Sequence, residues 1–341
     1  MHKPKLLYIG IHGILEYYEL KLFHQMGFDV RSMGTYMDPS LIIDSYYNPS
    51  LPELTVDREF ISKVAYIQSK GIPHHLTQDL INPFDIIILV HNLDYLKNNL
   101  NVLKNKLVIW RTVGHENQGL EYSGLPYRDL LKIVRWSPKA KLCPDFIGEE
   151  AVIRCPINEE LFSRGWVGDI EKILTVKNCL YTQRAFNEML KWEYLVKGFP
   201  FQLVGALNGD YMGGKSNATT EELSNYYQTH RLHIALPSGI APYNMTFLEG
   251  LLAGIPTVVL GQKLVAMGHM YEQHELIQHG VNGICSDNLD ELRDNIQELL
   301  KNTNLAKKIG EQGKILAKNL AGYETIKKQW KTFFNQSGIN I

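Results

Sequence analysis

The most distinctive chemical candidate in this chain is a single acid, Glu249, within the apolar run of residues 245–253. Its neighbours Leu248, Leu251 and Leu252 indicate an enclosed setting. A buried carboxylate costs free energy unless hydrogen-bond donors satisfy it. A pair of sugar hydroxyl groups is one suitable partner, so we predict that Glu249 binds hydroxyl groups.

Several basic residues in the second half of the chain have the chemistry of phosphate binding. Lys177 follows a predicted strand at residues 173–176, and Arg184 lies a few positions later. Arg184 is the first choice because a guanidinium group binds phosphate oxygens in pairs. Lys215 lies in a polar, glycine-rich loop that lacks the P-loop spacing but is suited to border a nucleotide. A solvated helix face is the alternative interpretation for Lys177 and Arg184.

Two glycines follow predicted strands, at positions where parallel α/β sheets bind ligands. Gly13 closes a glycine loop after the strand at residues 5–9, and Gly205 follows the strand at residues 201–204. We predict that both glycines lie beside a ligand. The loop at Gly13 has no Gly-x-Gly-x-x-Gly pattern, so a tight turn without a ligand is the alternative there.

The best candidate in the N-terminal half is a polar cluster that follows a predicted strand at residues 106–110. The cluster contains Arg111 and His115, and it lies at the carboxyl end of the strand. Ligands of α/β sheets bind outside such ends, so we predict that both side chains contact a ligand. Two alternatives stay open, in which His115 caps its own loop and Arg111 forms an internal salt bridge.

The elements that must position Glu249 are a strand, a loop, a helix and a second strand within residues 232–260. Pro242 suits the first turn of the helix, where its missing N–H would have no helical partner. Gly254 suits the end of that helix. The start of a helix binds anions through its backbone N–H groups. We assign this predicted anion site to Pro242, Tyr243, Asn244 and Met245.

The bulk composition is that of an ordinary globular protein. The chain has 341 residues, a net charge of −1 and 45% hydrophobic residues, which fits two domains. No apolar run approaches the roughly 20 residues of a membrane span. Four scattered cysteines predict free thiols and a cytoplasmic location. The chain has no Asp-x-Asp motif, so a metal-bridged diphosphate is not expected.

The central segment resembles the donor-binding segment of GT-B glycosyltransferases, most closely those of family 4. Pro237 and Ser238 match the start of that pattern, Glu249 matches its second glutamate, and residues 253–256 match its end. The first glutamate of the pattern would fall on Ala241, so half of the glutamate pair is absent.

The resemblance implies an α/β fold of two doubly wound Rossmann-like domains that face a central cleft. It implies an acceptor-side domain over residues 1–165 and a nucleotide-sugar donor domain over residues 166–320. A C-terminal helix at about residues 321–341 would pack back on the first domain. Its aromatic face would consist of Trp330, Phe333 and Phe334.

The resemblance also implies an activity. The chain would move a sugar from a nucleotide-diphosphate sugar to a hydroxyl group of a carbohydrate or another acceptor. Transfer would proceed with retention and without a metal or another cofactor. Glu249 would contact the ribose, His115 the transferred sugar, and Arg184 with Lys177 the diphosphate. His115 and Arg184 are therefore the predicted catalytic residues.

Other functions stay open from the sequence. One is a viral-type glycosyltransferase that acts on a hydroxymethylated base in DNA. Another is a catalytically inactive nucleotide-sugar-binding protein, which the replacement at Ala241 suggests, and a GT-B sugar epimerase is a third. Residues 301–341 hold eight lysines and two glutamates, so peripheral membrane contact is a further possibility. Nucleic acid is a less favoured partner, because no wider basic surface accompanies these lysines.

Overall fold

The computed structural model describes residues 3–10, 12–45, 48–114, 117–180, 186–208, 215, 218–238, 241–266 and 268–339. The chain forms two compact units. The first consists of Met1–Pro156 together with Ile326–Ile341, and the second of Ile157–Thr325. The boundary predicted from the sequence, after residue 165, falls slightly later in the chain.

The first unit contains a six-stranded sheet in which all named strand pairs are parallel. Its strands are β1 (Lys5–Ile9), β2 (Asp29–Ser32), β3 (Ile86–Val90), β4 (Leu107–Arg111), β5 (Leu131–Arg135) and β6 (Ala151–Val152). Their spatial order is β2-β1-β3-β4-β5-β6. β3 is apolar and buried at all of its positions, which is typical of a parallel strand covered on both faces.

Helices and short turns connect these strands. The α-helices are α1 (Gly13–Gln25), α2 (Arg58–Ser69), α3 (Gln78–Ile81), α4 (Asp94–Asn98), α5 (Leu100–Leu103) and α6 (Gln118–Gly124). Three 3₁₀ helices span Pro39–Leu41, Leu125–Leu130 and Pro138–Leu142. The last of these begins after the cap residue Ser137, where the sequence predicts a helix start.

The second unit contains a five-stranded sheet that is also parallel. Its strands are β7 (Ile170–Val176), β8 (Phe201–Val204), β9 (His230–Ala235), β10 (Thr257–Leu260) and β11 (Ile284–Ser286). Their spatial order is β11-β10-β9-β7-β8. This sequence of neighbours repeats that of the first five strands of the first sheet.

The helices of this part of the chain include the longest one that the structure describes. They are α7 (Glu159–Phe162), α8 (Phe186–Val196), α9 (Thr220–Thr229), α10 (Met245–Ala253), α11 (Gln273–Leu276), α12 (Leu289–Lys301), α13 (Thr303–Ala321) and α14 (Tyr323–Gln336), with a 3₁₀ helix at Gln262–Leu264. No helix within the described residues is long and apolar enough to cross a membrane.

The two strand orders confirm the predicted pair of doubly wound sheets. In each sheet the first strand of the unit lies between its second and its third, so the winding direction reverses there. These switch points lie between β1 and β3 in the first unit and between β7 and β9 in the second. Ligands of open α/β sheets bind outside the carboxyl ends of the strands at such points.

The C-terminal helix α14 contributes an aromatic cluster to the first unit. Trp330, Phe333 and Phe334 are buried, as their spacing predicts. The rings of Trp330 and Phe23 are 5.1 Å apart, and those of Phe334 and Phe28 are 4.9 Å apart. These contacts fix α14 to α1, because aromatic pairs at such distances attract each other beyond their shared burial.

The segment after β2 is rich in polar residues but is only partly exposed. Tyr36 and Leu51 are buried, and the hydroxyl of Tyr36 donates a 2.7 Å hydrogen bond to the carbonyl of Pro49. The apolar residues Leu41 and Ile43 lie on the surface. The loop therefore has buried anchors that its polar composition did not reveal.

Candidate functional site

The switch point of the second sheet brings Lys177 next to Pro237 and Ser238. Lys177 directly follows β7, and the other two residues come shortly after β9. Nζ of Lys177 donates a 2.6 Å hydrogen bond to the carbonyl oxygen of Pro237 and another of 2.6 Å to Oγ of Ser238. We call these three residues the Lys177 site.

The environment of Lys177 disfavours its positive charge. Both oxygens that hold the ammonium group are neutral. Burial lowers the pKa of Lys177 to about 8, although the charge of Glu188 opposes this change. A desolvated cation gains more from an anionic partner than a solvated one does. The Lys177 site is therefore suited to bind an anion.

The turn after β8 is built around the backbone of Lys177. Gly205 has φ +145°, and a Cβ atom on it would lie 2.2 Å from the carbonyl oxygen of Lys177. Nδ2 of Asn208 donates a 2.7 Å hydrogen bond to that same oxygen. Gly205 thus allows the two strand-end turns to approach, and any side chain at this position would separate them.

Helix α10 begins at the Lys177 site with an asparagine cap. Oδ1 of Asn244 accepts a 2.9 Å hydrogen bond from the backbone N–H of Phe247. Nδ2 of Asn244 donates a 2.6 Å hydrogen bond to the carbonyl of Leu236, at the end of β9. The cap therefore holds the start of the helix against the strand end, where the first backbone N–H groups of a helix favour an anion.

The predicted place of Pro242 in the first helical turn is wrong. The helix starts at Met245, because the side chain of Asn244 supplies the capping hydrogen bond. Pro242 precedes the cap, and its carbonyl accepts a 2.8 Å hydrogen bond from the backbone N–H of Glu272. Tyr243 and Met245 are buried on either side of the cap. The end of the helix at Gly254, with φ +82°, agrees with the sequence.

Glu249 lies on α10 and is fully buried, which confirms the enclosed setting that its apolar neighbours predict. Its charge acts on Tyr227. Burial, and then the charge of Glu249, raise the pKa of Tyr227 well above its ordinary value. The hydroxyl of Tyr227 donates a 3.2 Å hydrogen bond to the carbonyl of Thr246, one turn before Glu249. Tyr227 therefore supports the part of α10 that carries the acid.

The sequence analysis missed His233, which lies in β9 opposite α10. The side chain is fully buried, and neither ring nitrogen has a hydrogen-bond partner among the described residues. Burial lowers the pKa of His233 to about 3, so the ring is neutral. A Cβ atom on Gly250 would lie 2.6 Å from Nδ1 of His233. A glycine in α10 at this position was the signal that a side chain packs closely against the helix.

In the first unit, Arg111 forms the internal salt bridge that the sequence left as an alternative to ligand contact. Nε of Arg111 lies 2.8 Å from Oε1 of Glu19, and both side chains are buried. The hydroxyl of Tyr8 donates a 2.8 Å hydrogen bond to the other carboxylate oxygen of Glu19. Nη1 of Arg111 donates a 3.1 Å hydrogen bond to the carbonyl of Arg135. These contacts join the ends of β1, β4 and β5 through charge pairing within the chain.

Glu16, an acid in α1 that the sequence analysis also missed, holds the turn after β2. Its carboxylate accepts hydrogen bonds from the backbone N–H of Tyr36 at 2.7 Å and of Thr35 at 3.0 Å, and from the hydroxyl of Ser32 at 2.5 Å. Burial raises the pKa of Glu16 to about 7, against the lowering effect of these donors. The side chain acts as an anchor for the turn.

Comparison with known proteins identifies the architecture. No protein-family model matches the chain, and no curated protein matches it. Among solved structures, sucrose-phosphate synthase from Thermosynechococcus elongatus is 14% identical with a TM-score of 0.67, covering 98% of this chain and 99% of that one. Anabaena HepE in complex with UDP and glucose is also 14% identical with a TM-score of 0.67, over 98% of this chain and 100% of that one. The chain has the GT-B fold.

A third GT-B structure agrees with these two. It is a glycosyltransferase from Rickettsia africae, 13% identical with a TM-score of 0.67, covering 98% of this chain and 99% of that one. The structural similarity establishes the shared fold. The sequence identities are too low to transfer the roles of individual side chains, which are argued from the geometry described above.

The remaining predicted site residues occupy different places. His115 and Arg184 lie outside the described residues. Gly13 is the first residue of α1 and is buried. Nζ of Lys215 lies 2.5 Å from Oε1 of Glu222 on the surface, so an acid of this chain already partners it. Lys177 is therefore the predicted cation that the structure brings to the switch point and the start of α10.

Proposed function

We propose that this chain is a glycosyltransferase that moves a sugar from a nucleotide-diphosphate sugar to an acceptor hydroxyl. The observation that carries the proposal is the position of Lys177. This cation lies at the switch point of a GT-B sheet, near the start of α10, and the oxygens that hold it among the described residues are neutral. Structures of Anabaena HepE, which has the same architecture, are complexes with UDP or with UDP and glucose.

The donor diphosphate is the anion proposed for the Lys177 site. Ammonium groups bind phosphate as point charges, and the backbone N–H groups at the start of α10 add a second set of donors. Asn244 keeps those groups close to the strand end. Arg184, which the resemblance places on the same diphosphate, remains a prediction.

Glu249 is proposed to bind the ribose hydroxyls of the donor. It follows the N-terminus of α10 by one helical turn, and its side chain is fully buried. Hydrogen bonds from hydroxyl groups to a carboxylate are stronger than those to a neutral acceptor. The role deduced from the family pattern and the burial in this fold therefore support the same assignment.

The chemistry follows from charge development on the leaving group. Breaking the bond between sugar and diphosphate builds negative charge on the diphosphate, which Lys177 and the start of α10 are placed to stabilise. Attack by the acceptor on the face that the diphosphate leaves would retain configuration at the sugar. The leaving phosphate would assist that attack, and His115 is proposed to contact the sugar. We propose that no metal or cofactor takes part.

Glu249→Gln tests the ribose assignment. It keeps the shape and removes the charge, so binding of the nucleotide sugar should weaken roughly 10- to 100-fold with the fold intact. Free nucleoside diphosphate should lose affinity in parallel, because it shares the ribose. Glu298→Gln, on the exposed face of α12, is the matched control and should bind normally. A Glu249→Gln protein that binds donor normally and melts much earlier would make Glu249 a structural acid.

Activity itself is tested with a panel of nucleotide sugars. Thermal shift identifies the donor, because a ligand that binds only the folded state raises its apparent stability. Transfer or slow hydrolysis of that donor should then persist in excess chelator. Loss of turnover in chelator, with rescue by Mn²⁺ or Mg²⁺, would show metal-assisted departure of the diphosphate instead.

The replacement at Ala241 favours a second candidate, a nucleotide-sugar-binding protein without catalysis. The methyl side chain of Ala241 cannot form a hydrogen bond with the transferred sugar, as a glutamate at this position could. Donor binding with neither transfer nor hydrolysis would support this candidate over the enzyme.

A further inference from the structure

The Lys177 site joins two loops of the second unit through one ammonium group. Nζ of Lys177 lies 2.6 Å from the carbonyl oxygen of Pro237 and 2.6 Å from Oγ of Ser238. An ammonium group has three donors, so these two oxygens occupy most of its capacity. The cation proposed to bind the donor diphosphate is thus engaged by the chain's own segment after β9.

The engaged segment leads directly into α10. Ser238 forms an isolated antiparallel bridge with Ala241, and the backbone N–H of Ala241 donates a 3.0 Å hydrogen bond to the carbonyl of Ser238. Asn244 then caps the helix. The side chain of Ser238 therefore ties the chain just after β9 to the cation at the end of β7.

We propose that Ser238 is a latch, whose hydroxyl holds Lys177 in the free protein and gives up its position to a phosphate oxygen when a diphosphate binds. The proposal rests on the function proposed above and adds a regulation of the same site. Loading the site would free Ser238 from the cation at the end of β7.

The exchange is favourable because the two acceptors differ in charge. An ammonium group attracts an anionic oxygen more strongly than a neutral one, because Coulomb attraction between the two charges adds to the hydrogen bond. The anion also places a counter-charge directly beside the ammonium group, whose present acceptors Pro237 and Ser238 are both neutral. Breaking the contact with Ser238 nevertheless costs free energy, so the hydroxyl opposes binding.

A proton accompanies the exchange. Burial holds the pKa of Lys177 at about 8 in the free protein. A bound diphosphate raises that pKa, because an opposite charge favours the protonated form. Near pH 8 a fraction of the molecules must therefore take up a proton as the ligand binds.

The test is calorimetric titration of the full chain with UDP and with inorganic pyrophosphate. Ser238→Ala removes the latch and should bind both ligands roughly 3- to 10-fold more tightly than the original chain. The matched control is Thr229→Ala, whose hydroxyl bonds within its own helix to the carbonyl of Asn225. Titrations at pH 8 in buffers with different ionisation heats should show proton uptake, which Lys177→Met should lack.

Three outcomes separate the latch from the function on which it rests. Tighter binding by Ser238→Ala, with an unchanged melting temperature, supports the latch. Unchanged or weaker binding by Ser238→Ala, while Lys177→Met still loses affinity, overturns the latch and leaves the proposed function standing. If the original chain and Ser238→Ala bind neither UDP nor pyrophosphate, the proposed function fails and the latch fails with it.

Discussion

Buried cations at the carboxyl ends of the two sheets have different kinds of partner. In the first unit, Arg111 is paired with Glu19 at 2.8 Å, and Arg135 forms a buried ion pair with Glu121 at 2.5 Å. In the second unit, the partners of Lys177 within the described part of the chain are the neutral oxygens of Pro237 and Ser238. The same fold thus carries ion-paired cations at the strand ends of one sheet and a cation bonded to neutral oxygens at the strand ends of the other.

This difference separates structural charges from candidate ligand groups. A buried ion pair already contains its counter-charge, so a ligand would have to break it. A cation that only neutral groups hold keeps most of its attraction for an anion. Position at a strand end made Arg111 and Lys177 look equivalent in the sequence, and the charge of their partners distinguishes them.

The largest expected effect comes from breaking the pair in the first unit. Arg111→Met leaves the carboxylate of Glu19 buried without its cation and should lower the free energy of unfolding by about 3–5 kcal/mol. Denaturant titration measures the loss. The double variant Arg111→Met with Glu19→Gln removes both charges and should recover part of it. A stable Arg111→Met protein that has lost donor binding would instead make Arg111 a ligand residue.

A smaller effect on stability is expected from protonation of His233, the buried neutral histidine in β9. The folded-state pKa of His233 is about 3, below its ordinary value of 6.5, so the unfolded chain binds more protons between these values. Stability is therefore complete above pH 6.5 and falls as the pH drops, by about 2 kcal/mol at pH 5. Between pH 7 and pH 5 the free energy of unfolding of His233→Leu should therefore fall by about 2 kcal/mol less than that of the original chain. Equal losses in the two proteins would contradict the burial of a neutral ring.

Substitution of Lys177, the cation bonded to neutral oxygens, should change binding more than folding. Lys177→Met should weaken binding of UDP about tenfold or more, which corresponds to roughly 1.4 kcal/mol. Its melting temperature at pH 7 should stay the same or rise, because the charge that burial disfavours is gone. Melting curves and titration of the same samples measure both quantities. A clear loss of stability with normal binding would place Lys177 among the structural charges of the first unit.

The smallest effect is expected at Lys215, the cation that is exposed and paired with Glu222. Exposed ion pairs contribute about 0.2–1 kcal/mol at most, and solvent screens their charge. Lys215→Ala should therefore change UDP affinity less than about threefold and leave folding almost unaltered. A tenfold loss of affinity would show that Lys215 leaves Glu222 to bind the nucleotide.

Local structure was largely determined by the sequence. Residues 201–204 and 257–260 form the strands that their apolar runs predict, and Gly254 ends α10 in the left-handed conformation that glycine favours. The aromatic face of α14 is buried as its helical spacing indicates. These features depend on residues close together in the chain, so a local pattern is sufficient to specify them.

The partners of the charged side chains were decided by the tertiary structure. Arg111 and Glu19 are 92 positions apart in the chain, and Lys177 and Ser238 are 61 apart. The cap by Asn244, rather than by the residues near Pro242, likewise depends on contact with the end of β9. No local pattern encodes such pairs, because they form only when the strand order places particular strand ends side by side. Burial then fixes whether each charge meets an opposite charge or a neutral oxygen, and so whether it stabilises the fold or remains available to a ligand.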